Sequence, residues 1–286
     1  MIVSRTFSSF LSVVCLALIM MFSADTAAAQ EYKESYNSGL EAAKAKDYPT
    51  AVTHFNLAAA GAASEGDAEI ERRSKSYVSQ IEYSLGLKQL KADEFDGALA
   101  HFENGIATDP SNPKNYLARA SALKKKGEID VAIPAFAEAA SRAEAANDSK
   151  TERQAKKAIR DHYIFIASTA LSRNGARTSR ADADEALEAL MMLQNFVTED
   201  DSDVFYYYAV VHNVNGEYQD AVTVADQAMA IHRGSRTDKA KLFYVKGEAL
   251  MSLGKNNDAI EAFRGALFGS YKASAEHFIE SLSSTN

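Results

Sequence analysis

The chain has 286 residues, 47% of them hydrophobic and 24% charged, with 14 glycines, 4 prolines, no tryptophan and one cysteine. These fractions exclude a collagen-like repeat, a disulfide-stapled scaffold and a disordered polar segment. Lys and Arg number 31 against 39 Asp and Glu, a net charge of −8, so no basic excess exists to displace counterions from a nucleic acid. Scarce proline beside abundant Ala, Glu, Lys and Leu points to a helical protein, because these residues carry the smallest penalties in a helix.

The first segment reads as an address. Arg5 precedes the apolar run Phe10–Phe22, and the small-residue stretch Ala24–Ala29 follows it. A basic start, a short apolar run and an Ala-x-Ala site predict a secretory signal peptide over residues 1–29, cut after Ala29. A run of thirteen residues is too short to span about 30 Å of hydrocarbon comfortably, which argues against a membrane anchor. Cys15 lies inside this run behind Val14, so the processed chain has no thiol for a disulfide, a metal site or a nucleophile. The expected location is periplasmic or secreted.

Beyond the leader, one spacing recurs. Tyr116, Arg119, Ala120, Leu123, Gly127, Ala132, Phe136 and Ala139 form one copy. Phe243, Lys246, Gly247, Leu250, Gly254, Ala259, Phe263 and Ala266 form a second, and Phe205, Tyr208, Ala209, His212, Gly216, Ala221, Ala225 and Ala228 a third. Weaker copies carry Gly39, Ala51, Phe55 and Ala58, then Leu85, Gly86, Ala98, Phe102 and Pro110, then Tyr163, Ala167, Ala186, Leu190 and Leu193. The small residue in the middle of a first helix admits the second helix, whose opening Ala receives it. The Phe four residues on fills the space between units, and a glycine ends the first helix where a left-handed cap suits it.

This pattern resembles the tetratricopeptide repeat, a helix–turn–helix unit of about 34 residues. The resemblance implies an all-α fold: a right-handed superhelical solenoid of about six repeats, each stacking on the next to cover its apolar face, with a C-terminal capping helix. The opening Ala of the second helix falls at 51, 98, 132, 186, 221 and 259. The first excess over the regular spacing predicts longer helices within 60–79. The largest predicts a lengthened helix over 141–157 and an insertion near 174–180. The expected organisation is three repeats in 30–145, three in 146–268, and a capping helix and tail in 269–286, where Tyr271, Ala275, Phe278, Ile279 and Leu282 share one helical face.

Catalytic signatures are missing: no nucleophile elbow, zinc-protease helix, P-loop or dinucleotide fingerprint occurs. The six histidines are scattered, none three or four residues from another, so no helical metal pair forms. His212 occupies a large-residue position of its repeat and reads as core or partly buried. The acidic runs Asp182–Glu185 and Glu199–Asp203 lack the glycine of a calcium loop and precede helices, where carboxylates suit the positive end of the dipole. No cofactor and no metal is expected.

The resemblance also implies a concave groove lined by the first helices, with the residue three before the central small position facing it. Those residues are Tyr36, Tyr83, Leu117, Ile164, Tyr206 and Tyr244, with Tyr207 beside them. Tyrosine offers a large contact area at low entropy cost and keeps a polar tip. The expectation is a non-enzymatic scaffold in the cell envelope that grips a partner peptide along this column. A self-associating structural scaffold and a small-molecule-binding periplasmic protein are the alternatives. Lys114, Leu117, Ser121, Lys124 and Lys125 lack the asparagine pair of the family's carboxylate clamp, so binding of chaperone C-terminal tails is not carried over.

Overall fold

The computed structural model describes residues 30–173, 178–197 and 200–284. The expected leader over 1–29 and residues 174–177 of the expected insertion lie outside the described residues. The described residues form thirteen α-helices and one 3₁₀ turn. Helix α1 spans 30–44. It is followed by α2 (Tyr48–Glu65), α3 (Ala68–Lys91), α4 (Phe95–Thr108), α5 (Pro113–Lys126), α6 (Ile129–Ala145) and α7 (Ser149–Ser172). Then come α8 (Arg180–Gln194), α9 (Ser202–Asn215), α10 (Tyr218–Ile231), α11 (Arg236–Ser252) and α12 (Asn256–Gly265), with the 3₁₀ turn Gly269–Tyr271 leading into α13 (Lys272–Ser284). The fold is all-α, built of successive helical hairpins. Contacts divide the described residues into two compact units, those up to Ala155 and those from Lys156 onward, with the boundary inside α7.

The repeating small and large residues build each hairpin. Ala51, Ala98, Ala132, Ala186, Ala221 and Ala259 are all fully buried. Five of them stand fourth in a second helix, where a small side chain fits between neighbours; Ala186, expected to open its helix, is seventh in α8, which starts a turn earlier at Arg180. Phe55, Phe102 and Phe263 are equally inaccessible. Their rings lie on glycine: a Cβ at Gly39, Gly86 or Gly247 would meet the ring of Phe55, Phe102 or Phe263 at 2.9, 2.5 or 2.7 Å respectively. The glycine thus admits the Phe of its own hairpin. The same ring also reaches the following element. Phe55 stacks on Tyr77 of α3 at 4.8 Å, and Phe263 stacks on Phe278 of α13 at 5.0 Å.

Turn chemistry sets the hairpin ends. Gly127, Gly216 and Gly254 take positive φ at the ends of α5, α9 and α11, where glycine pays no Cβ penalty. Lys46 and Asp93 hold the corresponding left-handed positions after α1 and α3 without glycine. Asp67 caps α3 by accepting from the Ile70 amide. Ser179 with Asp182 and Ser235 with Asp238 form reciprocal capping boxes at α8 and α11. The long spacings resolve into long helices: α2 and α3 have 18 and 24 residues, and α6 and α7 have 17 and 24.

In the second unit, α13 lays Phe278, Ile279 and the buried Ala275 and Leu282 against the core that includes Ile260, Phe263 and Ala266. That contact covers apolar surface which the last hairpin cannot bury by itself.

Candidate functional site

The tyrosine column behaves differently from position to position. In the first unit Tyr36 is only 6% exposed, with its ring edge-on to Phe55 at 5.8 Å and beside Tyr77. Tyr83 is half-buried over Phe102 at 6.3 Å, and Leu117 is half-buried on α5. In the second unit Ile164, Tyr206, Tyr207 and Tyr244 are all half-buried. Tyr244 is edge-on to Phe263 at 5.7 Å, repeating the Tyr36–Phe55 arrangement. Each of these three column tyrosines therefore lies over the filler Phe of its own hairpin and presents only part of its surface outward.

Tyr206 and Tyr244 are brought together by a third tyrosine. The Tyr271 hydroxyl lies 3.4 Å from that of Tyr206, and its ring centroid is 5.1 Å from that of Tyr244. Burial, aided by the Tyr271 hydroxyl, pushes the Tyr206 phenol well above its ordinary value, so it stays protonated. Tyr207 packs edge-on to Tyr206 at 5.1 Å. Tyr271 was legible in the sequence only as one residue of the terminal helical face.

One side of this aromatic cluster carries a charge network. Arg160 of α7 donates to both carboxylate oxygens of Asp201 and reaches Asp203 at 2.7 Å. Lys241 of α11 pairs with the other oxygen of Asp203 at 2.6 Å and sits 4.9 Å from the centroid of the Tyr206 ring. Burial works to raise both carboxyls, but Arg160 at Asp201 and Lys241 with Arg160 at Asp203 outweigh it, and both end below the ordinary carboxylate value. Asp201 also caps α9, accepting from the amides of Asp203 and Val204. The acidic run is therefore a helix start, as its sequence suggests, and an anchor between helices, which its sequence does not reveal. Its partners are 38 to 43 residues away.

On α9 and α11, residues spaced three and four apart share one face. A groove of about 380 Å³ is lined by Val210, Asn213 and Val214 of α9 and by Val245, Glu248, Met251 and Ser252 of α11, with Thr178 and Tyr218 at its margins. Asn213 bridges the two helices by donating to the Val245 carbonyl at 2.9 Å. That commitment of its amide nitrogen leaves the buried Asn213 Oδ1 without a donor. Among the described residues Glu248 is the one acidic or basic side chain in this lining. Burial pushes its carboxyl up to about 7, against the opposing effect of a hydrogen bond with Tyr244.

A second cavity of about 310 Å³ lies beside Arg160, Leu193, Val197, Asp201, Val204 and Phe205, where Arg160 is already neutralised by its aspartates. His212, Glu217 and Asp220 bring ligand atoms within 4.8 Å of one another. Their Nδ1–Oε2 contact of 2.6 Å, between His212 and Glu217, is a hydrogen bond across the α9–α10 turn. His212 is partly buried, as its repeat position leads one to expect.

Residues 240–267, which comprise most of α11 and all of α12, match the tetratricopeptide repeat family. The last hairpin is similar to a tetratricopeptide repeat. No curated protein matches the chain. Among solved structures, a tetratricopeptide repeat protein from Bacteroides fragilis is 13% identical over 89% of this chain and 99% of its own, with a TM-score of 0.40. A chain of the APC/C hetero-tetramer Cut9–Hcn1 is 16% identical with a TM-score of 0.38, covering 81% of this chain. This protein spans only 42% of that chain's length. The tetratricopeptide domain of P58(IPK) is 12% identical over 90% of this chain and 66% of its own, also with a TM-score of 0.38.

Proposed function

We propose that this chain is a non-enzymatic scaffold that holds a segment of a partner protein in the groove between α9 and α11. The observation that carries this reading is the groove itself: two helix faces present Val210, Val214 and Met251 beside Asn213 and Glu248. The three tyrosines 206, 244 and 271 stand next to it. Apolar side chains flanked by a few polar groups suit burial of an apolar segment whose polar atoms find partners at the edges. The bridging of α9 and α11 through Asn213 and Lys241 holds the two faces in place before binding, which reduces the ordering cost on association.

The setting in this reading is the cell envelope, reached through a leader over residues 1–29. Among the described residues no helix is long and apolar enough to cross a membrane. Fractionation of the native host, followed by sequencing of the purified protein, should find it outside the cytoplasm with Gln30 as its first residue. Recovery from the cytoplasm with Met1 retained would overturn that location.

The groove is tested with a photo-crosslinking residue placed at Val214 or Met251 in the native host. A partner should crosslink from both positions and not from Leu57, which is 56% exposed on α2. The double substitution Val214→Glu with Met251→Arg should abolish crosslinking from a third groove position, Val210, with helicity unchanged. Equal capture from Leu57, or capture indifferent to the double substitution, would sink the groove reading.

A further inference from the structure

Resting on that groove reading, the chemistry of the lining restricts what can occupy it. Glu248 projects from the middle of α11 into the groove, and among the described residues no basic side chain lies within ion-pair distance of it. Three cations of the surrounding helices are held by carboxylates, while Arg180 of α8 donates to the Asn215 carbonyl at the end of α9. Arg160 is held by Asp201 and Asp203, Lys241 by Asp203, and Lys246 by Asp226. The two cations and two carboxylates of the Arg160–Lys241 network cancel, and Glu248 has no ion-pair partner among the described residues.

Among the described residues the groups beside Glu248 in this lining are uncharged, with Arg180 of α8 the cation standing at the Asn215 end. The uncharged groups nearby are Tyr244 on its own helix, Tyr206 and Asn213 on α9, Tyr218 on α10, and Tyr271 on the 3₁₀ turn. Ser274 of α13 reaches Tyr244 behind them. Asn213 Oδ1 is an unpaired acceptor, and the Glu248 carboxylate accepts only from Tyr244. An occupant that supplies positive charge pairs with the carboxylate, whereas an acidic or purely apolar one leaves it unpaired at a cost.

We propose that the α9–α11 groove selects a partner segment bearing a lysine or arginine side chain, whose cation pairs with Glu248 and whose aliphatic stem lies along Val210, Val214 and Met251. Long basic side chains bury their methylene stems on apolar surface while keeping the charged head at a polar group, and a groove of about 380 Å³ has room for one. The neighbouring tyrosine faces add attraction for a cation. Because the carboxyl of Glu248 titrates near 7, the selectivity weakens in acid, where the carboxyl is neutral.

The test uses arrays of nonapeptides with randomised flanks and a central lysine, norleucine or glutamate, probed with the purified protein at about pH 8 and about pH 5.5. At pH 8 the lysine set should bind about tenfold more strongly than the norleucine set, a factor in keeping with a charge-assisted hydrogen bond, and the glutamate set should bind least. The lysine preference should shrink at pH 5.5 and vanish in Glu248→Gln at both pH values. Circular dichroism should show the variant as helical as the parent.

Equal binding of the lysine and norleucine sets overturns the inference, as does a lysine preference that Glu248→Gln leaves intact. If norleucine peptides bind and Val214→Glu with Met251→Arg abolishes that binding, the groove stands without its charge selectivity. If no set binds, or binding ignores that double substitution, the groove reading falls and the inference with it.

Discussion

Gly247 and Phe263 face each other across the α11–α12 hairpin so closely that a Cβ at Gly247 would sit 2.7 Å from Cε1 of the ring. The ring is pinned on its other side by Phe278 at 5.0 Å and edge-on by Tyr244, so it has nowhere to retreat. In an exposed helix Gly→Ala gains about 1 kcal/mol. Here Gly247→Ala should instead destabilise by about 1–3 kcal/mol through overpacking, read as a lower thermal midpoint. Phe263→Leu should recover part of the loss in the double variant. Gly97→Ala is the contrast: its nearest neighbour is the flexible end of Gln89, which can swing away, and the variant should be neutral or more stable.

The charge network predicts a specific loss in acid. The Asp203 carboxyl is held below its ordinary value of 3.8 by Lys241 and Arg160, against the opposing effect of burial. A carboxyl with a depressed folded pKa adds stability above its unfolded value, and that stability is lost as pH falls through the folded one. Asp203→Asn should therefore be less stable than the parent at pH 7 by about 1–2 kcal/mol, toward the low end because the carboxylate is partly exposed. The difference should close as pH falls below the ordinary 3.8 in denaturant titrations. A constant difference down to pH 2 would show that the contact acts by packing alone.

The hairpin phase was legible because it is written in local size. Six alanines at regular offsets and the Phe residues that face Gly39, Gly86 and Gly247 report a helix–helix distance that no other residue permits. The left-handed caps were legible only where glycine fills them; Lys46 and Asp93 adopt the same backbone without announcing it. The column of Tyr36, Tyr83 and Tyr244 was legible as a face of the first helices, but not that these rings lie over Phe55, Phe102 and Phe263. Arg160 meets Asp201 and Asp203 only after α7 and α9 pack, and Glu248 is an ordinary carboxylate until burial changes it. Charge pairing and desolvation are properties of the assembled helices, so the spacing of residues carries no trace of them.

Glu248 gives the opposite pH dependence to Asp203. Its folded carboxyl lies at about 7, above the ordinary 4.5, because burial disfavours its charge. The folded state then holds the proton more tightly than the unfolded chain. Stability is fully present below about pH 4.5 and declines as pH rises through 7. At about 1.4 kcal/mol per unit, the decline is on the order of 3 kcal/mol. Glu248→Gln should flatten this part of the stability curve and raise the thermal midpoint at pH 8. Were the variant to lose stability equally at pH 5 and pH 8, the carboxylate would be structurally required and not merely buried.

The C-terminal helix sets the last expectation. Phe278, Ile279, Ala275 and Leu282 pack on the core formed by Phe263, Ile260 and Ala266, and Tyr271 touches both Tyr206 and Tyr244. Phe278→Ala removes the ring stacked on Phe263 and should cost about 3 kcal/mol, as other Phe→Ala changes in packed interiors do. Removing residues 272–286 goes further, since it uncovers the apolar face of the last hairpin. Repeat arrays need their terminal units covered to remain soluble, so the truncated protein should self-associate, read as a rise in mass by light scattering. Tyr271→Phe separates covering from alignment. It keeps the ring against Tyr244 and removes the hydroxyl that meets Tyr206, so mass and midpoint should hold. The Tyr206 hydroxyl then loses the contact at 3.4 Å, which should shift the Tyr206 ring signals in NMR spectra. Unchanged Tyr206 signals would show that the two hydroxyls do not meet in solution.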